Sequence, residues 1–138
     1  MNVKEKNRKG FTMVELIIVV AIIGIISALL VPAFGTISTK ARLTTDIATV
    51  KTLKRTADSY KAEQGTFPEA TNLEGLNSEL EEKGYIETYA MLQTKGAEIE
   101  VSGTTIRLDV TKVEDSKAVD TALKQMDAQT VADWVKVS

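Results

Sequence analysis

The first hydrophobic pattern in the chain is a continuous apolar run near its N-terminus. From Leu16 to Val31 there are sixteen residues without a charge, and twelve of them are Leu, Ile or Val. On an insertion scale that gives such residues about −0.3 to −0.6 kcal/mol each, the run favours entry into a bilayer by roughly 4 to 7 kcal/mol. A helix over residues 11–34, rising about 1.5 Å per residue, is long enough for a hydrocarbon core of about 30 Å. The run therefore predicts a membrane-spanning helix.

The helical period continues beyond the apolar run. Over residues 35–64 apolar side chains recur at spacings of three and four, which predicts an amphipathic second half of the same helix. Gly65 and Pro68 predict its end, because glycine suits the left-handed cap position and proline follows shortly after. We expect the rest of the chain to cover the apolar stripe, which is formed by Leu43, Ile47, Val50, Leu53, Ala57 and Tyr60.

Shorter patterns follow in residues 65–138 and predict a small α/β head. Leucines at helical spacing predict a second helix after a capping box of Thr71 and Glu74. Alternating residues on either side of Gly103 predict a β-hairpin, residues 116–128 a third helix and residues 131–137 a final strand. The fold class is thus α+β: a long N-terminal helix, first transmembrane and then amphipathic, packed against a small antiparallel β-sheet head.

Charge is unevenly distributed along the chain. The formal net charge is −2, but residues 1–10 carry +3, residues 35–64 carry +3 and residues 66–138 carry −7. Since basic residues are concentrated before the apolar run, the positive-inside rule predicts a cytoplasmic N-terminus and a head on the outside. A head at −7 should repel nucleic acid, so we expect no direct nucleic-acid binding.

The composition argues against an enzyme. The chain contains no histidine and no cysteine, which removes the commonest general base, the sulfur nucleophile and the two commonest zinc ligands. No cofactor or metal site is predicted. Glu114, Asp115 and Asp120 lie close together in sequence and could hold calcium, but the ligand spacing of a known calcium loop is missing, and a solvated acidic surface is the alternative.

Three interpretations compete for the N-terminal segment. It could be a secretory signal peptide, because its start is basic and Val31-Pro32-Ala33 is an acceptable cleavage site. It could be a plain single-span anchor. The third interpretation rests on Gly10-Phe11-Thr12-Met13-Val14-Glu15, which places one acid at the start of the apolar run.

In these residues the chain resembles the type IV pilin superfamily, which includes the pseudopilins. Members of that superfamily have a basic leader ending in glycine, an aromatic first residue of the mature chain and a glutamate four residues later, as Gly10, Phe11 and Glu15 stand here. The resemblance implies that a prepilin peptidase removes residues 1–10 and that Phe11 is N-methylated. Glycine would let the peptidase approach the scissile bond closely.

The resemblance also implies a role in assembly for Glu15. A carboxylate in apolar surroundings must find a cation or a proton, and the family implies pairing with the Phe11 amine of a neighbouring copy. The alternative from the residues is that Glu15 bonds free N–H groups in the first turn of its own helix.

Gly24 and Pro32 match a glycine and a proline of the family. Pro32 lacks a backbone donor, so residues 24–32 are the weakest stretch of the apolar helix. The resemblance implies that this stretch partly unwinds in a filament; a simple kink is the alternative.

Two function classes follow. The resemblance implies a structural subunit of a type IV pilus, stored as a single-pass membrane protein in lipid and polymerised with copies of itself and minor pilins by an assembly ATPase acting through an inner-membrane platform protein. A pseudopilin of a secretion or competence apparatus is the alternative within the superfamily. Outside it, the alternative is a membrane-anchored or secreted binding module.

Overall fold

The computed structural model describes residues 10–137. The chain divides into two compact units between Phe34 and Gly35, and each unit is described by itself. In chain order the helices and strands are α1 (Met13–Gln64), α2 (Leu73–Glu82), β1 (Glu98–Ser102), β2 (Thr105–Asp109), α3 (Ser116–Leu123), α4 (Ala128–Trp134) and β3 (Val135–Lys136).

The first unit consists of the apolar part of α1. Its segment Met13–Val31 has a mean hydropathy of 3.0 and passes the length and composition test for a membrane span, a test that a signal sequence near an N-terminus also passes. All sixteen large apolar side chains between Phe11 and Phe34 are exposed, from 49% at Val19 to 90% at Phe11. Monomeric soluble proteins rarely expose an apolar patch of that extent. This surface therefore needs lipid or other protein chains around it.

The second unit is built on the amphipathic part of α1. Each residue of the predicted apolar stripe is buried, and Leu43, Val50 and Ala57 are completely so. The stripe belongs to one hydrophobic cluster with apolar residues of the other helices and of the sheet. The prediction that the head covers this stripe is confirmed.

The connection from α1 to α2 follows the expected chemistry with one correction. The helix ends at Gln64, and Gly65 takes a positive φ of 83°. The predicted capping box of Thr71 and Glu74 is wrong, because Asn72 is the N-cap of α2 and its side chain accepts the amide of Gly75. Asn is as good an N-cap as Ser or Thr, and it stands one residue closer to the helix.

The sheet is three-stranded, in the order β1-β2-β3. Strands β1 and β2 form the predicted antiparallel hairpin, with Ser102 opposite Thr105 and a two-residue turn at Gly103 and Thr104. The α+β class is confirmed, but the sheet is mixed and not antiparallel, because β3 runs parallel to β2 and pairs Leu108 with Val135. The sheet therefore buries one face against the cluster, while the other carries charged side chains.

The C-terminal predictions are partly wrong. The third helix ends at Leu123 and not at residue 128, because the amides of Gln125 and Met126 turn back to the carbonyls of Ala122 and Leu123. Residues 131–134 belong to a helix and not to a strand, since the Asp127 carboxylate caps α4 by accepting the amide of Thr130 at 2.7 Å. The final strand is thereby reduced to Val135–Lys136.

Candidate functional site

The candidate site begins where α1 starts, at Thr12 and Glu15. The Glu15 carboxylate accepts the backbone amide of Thr12 at 2.9 Å and its hydroxyl at 3.2 Å. In return, the backbone amide of Glu15 donates to the Thr12 hydroxyl at 3.2 Å. This reciprocal pair is a capping box, which satisfies two of the N–H groups that the start of a helix leaves unpaired.

The capping box gives Glu15 a partner within its own chain. In the separate chain the Glu15 carboxylate thus accepts an amide at the start of its own helix. This is close to the alternative that the residues left open for Glu15. Sequence reasoning missed Thr12, although Thr12-x-x-Glu15 before an apolar run is the sequence signature of such a box. Because the carboxylate is exposed, the capping box leaves it open to a cation from another chain.

Gly10 and Phe11 precede the helix and are exposed. A Cβ atom built on Gly10 would meet no other atom within 4 Å. The fold of the described residues therefore does not require glycine at this position, and any need for it would come from a protein that binds there.

Gly24 and Pro32 both lie inside α1, which is helical without interruption from Met13 to Gln64. A Cβ on Gly24 would also be in open space. Between the two, the Ser27 hydroxyl donates to the Ile23 carbonyl at 2.8 Å, a contact that often bends helices slightly. The single chain thus keeps this stretch helical, and the predicted unwinding in a filament stays a prediction.

The basic residues of the amphipathic part of α1 divide into two groups. Within the second unit, Lys40 donates to the Gln125 carbonyl at 2.9 Å, Lys51 lies 5.4 Å from the centre of the Trp134 ring, and Lys54 pairs with Asp58. Arg42, Arg55 and Lys61 are exposed and form no ion pair among residues 10–137. These three side chains are the basic residues of the amphipathic part of α1 that remain open to a neighbouring chain.

The acidic residues considered for calcium have other roles in the structure. Asp115 is the N-cap of α3 and accepts the amide of Ala118 at 3.0 Å. Asp120 forms an ion pair with Lys124 at 2.7 Å, one helical turn away. Within residues 10–137 no group of three or more His, Cys, Asp or Glu residues is arranged to hold a metal ion.

The outer face of the sheet holds an ion cluster that sequence reasoning did not find. The Lys136 ammonium lies 3.0 Å from Glu100 on β1 and 3.2 Å from Asp109 on β2. The pKa of Lys136 is raised by its hydrogen bonds to Glu100 and then to Asp109. The pKa of Asp109 is lowered, first by the Thr111 hydroxyl that donates to it and also by Lys136. Through these ion pairs Lys136 connects β3 to both strands of the hairpin.

Comparison with known proteins finds matches both to the N-terminal motif and to most of the chain. Residues 6–31 match the family model described as the prokaryotic N-terminal methylation motif. The chain is 30% identical over 112 residues to a type IV major pilin protein of Neisseria gonorrhoeae, covering 73% of this chain and 67% of that relative.

Two further relatives match over shorter stretches. A fimbrial protein of Neisseria meningitidis is 32% identical over 77 residues, which is 56% of this chain and 45% of the relative. A fimbrial protein of Pseudomonas aeruginosa is 43% identical over 54 residues, which is 39% of this chain and 35% of the relative. The chain thus spans less than half the length of these two proteins. No solved structure matches the chain.

Proposed function

The chain belongs to the type IV pilin family, and on that premise we propose that it is a structural subunit of a type IV pilus with no enzymatic activity of its own. The observation that carries the proposal is the helix over residues 13–31, of which nothing is buried inside the chain. Such an apolar surface would contact lipid while the subunit is stored in the membrane, and would contact other copies of the subunit after assembly. The second unit has its own hydrophobic cluster and contains the head, residues 65–138, which such a subunit would present outside.

The test is to image the organism's surface fibres and to identify their subunits by mass spectrometry. The proposal predicts fibres that contain this protein as a main component and that disappear when its gene is deleted. A pseudopilin role is not favoured, because the matched relatives are major pilins and fimbrial proteins. The protein being found in the cell envelope but never in extended fibres would contradict the proposal.

The proposed maturation of the chain is based on its N-terminal motif. Cleavage after Gly10 by a prepilin peptidase, followed by N-methylation of Phe11, is supported by the match of residues 6–31 to the methylation motif. The mature chain then contains residues 11–34 as the span, 35–64 as the amphipathic helix and 65–138 as the head. Intact mass and N-terminal sequencing of protein taken from fibres test this: methylated Phe11 supports it, whereas a start at Met1 or Phe34 contradicts it.

Gly10 allows a sharp test of the peptidase step. Because a Cβ at Gly10 meets nothing within 4 Å, Gly10→Val should leave the fold of the mature part unchanged. It should nevertheless block processing, since a branched side chain keeps the scissile bond away from the protease. Full processing of Gly10→Val would contradict the role given to Gly10.

The membrane stage is also part of the proposal. Before assembly the chain crosses the membrane once, with residues 1–10 in the cytoplasm and the head outside, as the charge distribution favours. A platform protein in the inner membrane and a cytoplasmic ATPase then transfer it into the fibre, where minor pilins join it. Protease added to spheroplasts, in which the outer face of the inner membrane is accessible, should cut the head of the unprocessed chain and spare the leader.

For Glu15 we infer an exchange of partners. In the separate chain its carboxylate is satisfied by Thr12, at 2.9 Å from the amide. On entry into the fibre the carboxylate would pair with the Phe11 ammonium of a neighbouring copy, which adds a charge-assisted contact at a site that excludes water. The capping box would therefore reduce the cost of holding the Glu15 carboxylate at the membrane before assembly. The intersubunit pair would set the axial register.

The variant Glu15→Gln separates the two roles of the side chain. Glutamine keeps the oxygen that a capping box needs but removes the charge. The partner exchange predicts a loss of fibre of about tenfold or more for Glu15→Gln, with normal cleavage and insertion. The control is Thr12→Val, which removes the hydroxyl of the box and keeps the charge, and which should cost far less fibre. Equal losses in both variants would show that Glu15 acts through its own helix alone.

A further inference from the structure

The last thirteen described residues, 125–137, form a segment that we call the C-terminal strap. Its helix α4 contains no buried residue. Val135 is buried, and Met126, Val131 and Trp134 are partly buried against the hydrophobic cluster. Compared with the amphipathic part of α1, in which every stripe residue is buried, the strap has little apolar attachment.

Three lysine side chains contribute to the attachment of the strap. At its start, Lys40 of α1 donates to the carbonyl of Gln125 at 2.9 Å. In its middle, Lys51 of α1 lies 5.4 Å from the centre of the Trp134 ring. At its end, Lys136 of the strap itself pairs with Glu100 and Asp109 on the two other strands.

The backbone attachment at the end of the strap is short. Strand β3 has two residues, and their ladder to β2 pairs Leu108 with Val135 and Asp109 with Lys136. The amide of Val110 adds one bond of 3.2 Å to the carbonyl of Lys136. A pairing of this length does not hold a strand by itself, because independent stability of a sheet needs longer strands and a larger apolar face.

We propose that the strap is a separately opening element of the head, closed by lysine contacts and released as a unit while the rest of the head stays folded. Lys136 is its main fastening point, because its ammonium joins β3 to both strands of the hairpin. Exposed or half-exposed ion pairs are individually weak and are screened by salt. Regions with few buried apolar contacts open at lower free energy than the core around them.

Opening of the strap has a structural consequence at β2. Without β3 the edge of β2 from Leu108 to Val110 loses its backbone partners. An unpaired edge is a template for pairing with another strand. The closed strap therefore protects the hairpin from edge-to-edge association with other copies.

Hydrogen exchange with mass spectrometry on the full-length protein in detergent micelles tests the proposal. In the unaltered protein, amides of residues 128–137 should exchange at least about tenfold faster than those of β1. Lys136→Gln should accelerate exchange in the strap and at Val110 by about five- to tenfold, and leave the stripe of α1 unchanged. Raising the salt concentration should move the unaltered protein in the same direction.

The matched control is Lys112→Gln. Lys112 forms an ion pair of 3.0 Å with Glu98 on the same face of the sheet but lies outside the strap, so exchange in the strap should not change. Two results would overturn the proposal. Either Lys136→Gln leaves exchange in the strap unaltered, or it accelerates exchange equally throughout the head, which would make the strap part of one cooperative unit.

Discussion

The buried carboxylate of Asp46 accepts the backbone amide of Thr94 at 2.9 Å, and its second oxygen accepts the neighbouring amide of Gln93 at 2.7 Å. Asp46 is completely buried on α1, and no ion pair satisfies it among residues 10–137. The loop that precedes β1 is thus attached to the long helix by one side chain. A buried carboxyl group is tolerated here because both of its oxygens receive donors.

The first prediction concerns this attachment. Asp46→Ala should lower the free energy of unfolding of the head by about 2 to 4 kcal/mol, because it leaves two backbone amides without an acceptor and opens a cavity. Thermal unfolding of the full-length protein in detergent, followed by circular dichroism, measures the change. Asp58→Ala is the control, since Asp58 is exposed and pairs with Lys54 on the same helix; it should cost under about 1 kcal/mol. Similar losses in the two variants would contradict the role of Asp46.

The hydrogen-bond partners of Asp46 could not be predicted from the sequence. The stripe next to it was predictable because apolar residues at spacings of three and four report on one face of one helix. Asp46 lies on that same face, three residues after Leu43 and four before Val50, but its partners stand 47 and 48 residues later in a loop without periodicity. The helical spacing places Asp46, unlike Asp58, on the face that the head covers, but nothing local identifies the amides that its carboxylate binds.

The other predictions divide into features that depend on neighbouring residues and features that depend on residues far apart in sequence. The hairpin and the end of α1 are determined by local turn residues, and they were found. The parallel pairing of β3 and its tie through Lys136 depend on residues far apart in sequence, and they were missed. At the candidate site, Gly10, Phe11 and Glu15 could be selected from the motif, whereas Thr12, the partner of Glu15 in the separate chain, was missed although the spacing Thr12-x-x-Glu15 is the signature of a capping box.

The second prediction concerns Gly96, which has a φ of 77°. A Cβ at Gly96 would lie 2.6 Å from the carbonyl oxygen of Lys112, so Gly96→Ala combines backbone strain with a clash against backbone. The expected loss is about 2 to 4 kcal/mol in the free energy of unfolding. The same unfolding assay measures it.

Gly103 supplies the matched control for Gly96. It also has a positive φ, 58°, but a Cβ there meets nothing within 4 Å. Gly103→Ala should therefore cost the strain alone, about 1 kcal/mol. If Gly103→Ala proved as damaging as Gly96→Ala, the close approach of Lys112 would not be what makes glycine necessary at position 96.

The third prediction concerns the pH dependence of the strap. The pKa of Asp109 lies below its ordinary value of 3.8, chiefly because of Thr111, so its stabilising effect is present above about pH 3.8 and is lost as the pH falls further. The pKa of Lys136 lies above its ordinary value of 10.5, chiefly because of Glu100, so its effect is present below that pH and is lost as the pH rises through the raised pKa. Strap exchange, corrected for the intrinsic rate at each pH, should be constant between these limits and should rise beyond them.

Other charges on this face of the sheet enter the same experiment. Glu98 stands opposite Asp109 and is paired with Lys112, and Arg107 stands opposite Glu100. Asp109→Asn removes the titration of Asp109 while keeping an oxygen for Thr111, and should flatten the part of the acid limb that Asp109 contributes. An acid limb unchanged in Asp109→Asn would assign the pH dependence to another carboxylate, first to Asp127, the N-cap of α4, whose pKa is lowered by the amide of Thr130.

The last prediction concerns the weak stretch of the apolar helix and applies to assembled fibres. Alanine at position 24 gains about 1 kcal/mol of helix propensity over glycine, and a Cβ there meets no atom of its own chain within 4 Å. If residues 24–32 unwind when a fibre lengthens, Gly24→Ala should raise the force at which single fibres extend. Pulling single fibres with optical tweezers measures that force. Ala21→Gly, which weakens the helix just outside this stretch, should leave the extension force lower than or equal to that of the unaltered fibre. An extension force that Gly24→Ala leaves unchanged, in fibres of normal yield, would place the lengthening elsewhere in the subunit or in the contacts between heads.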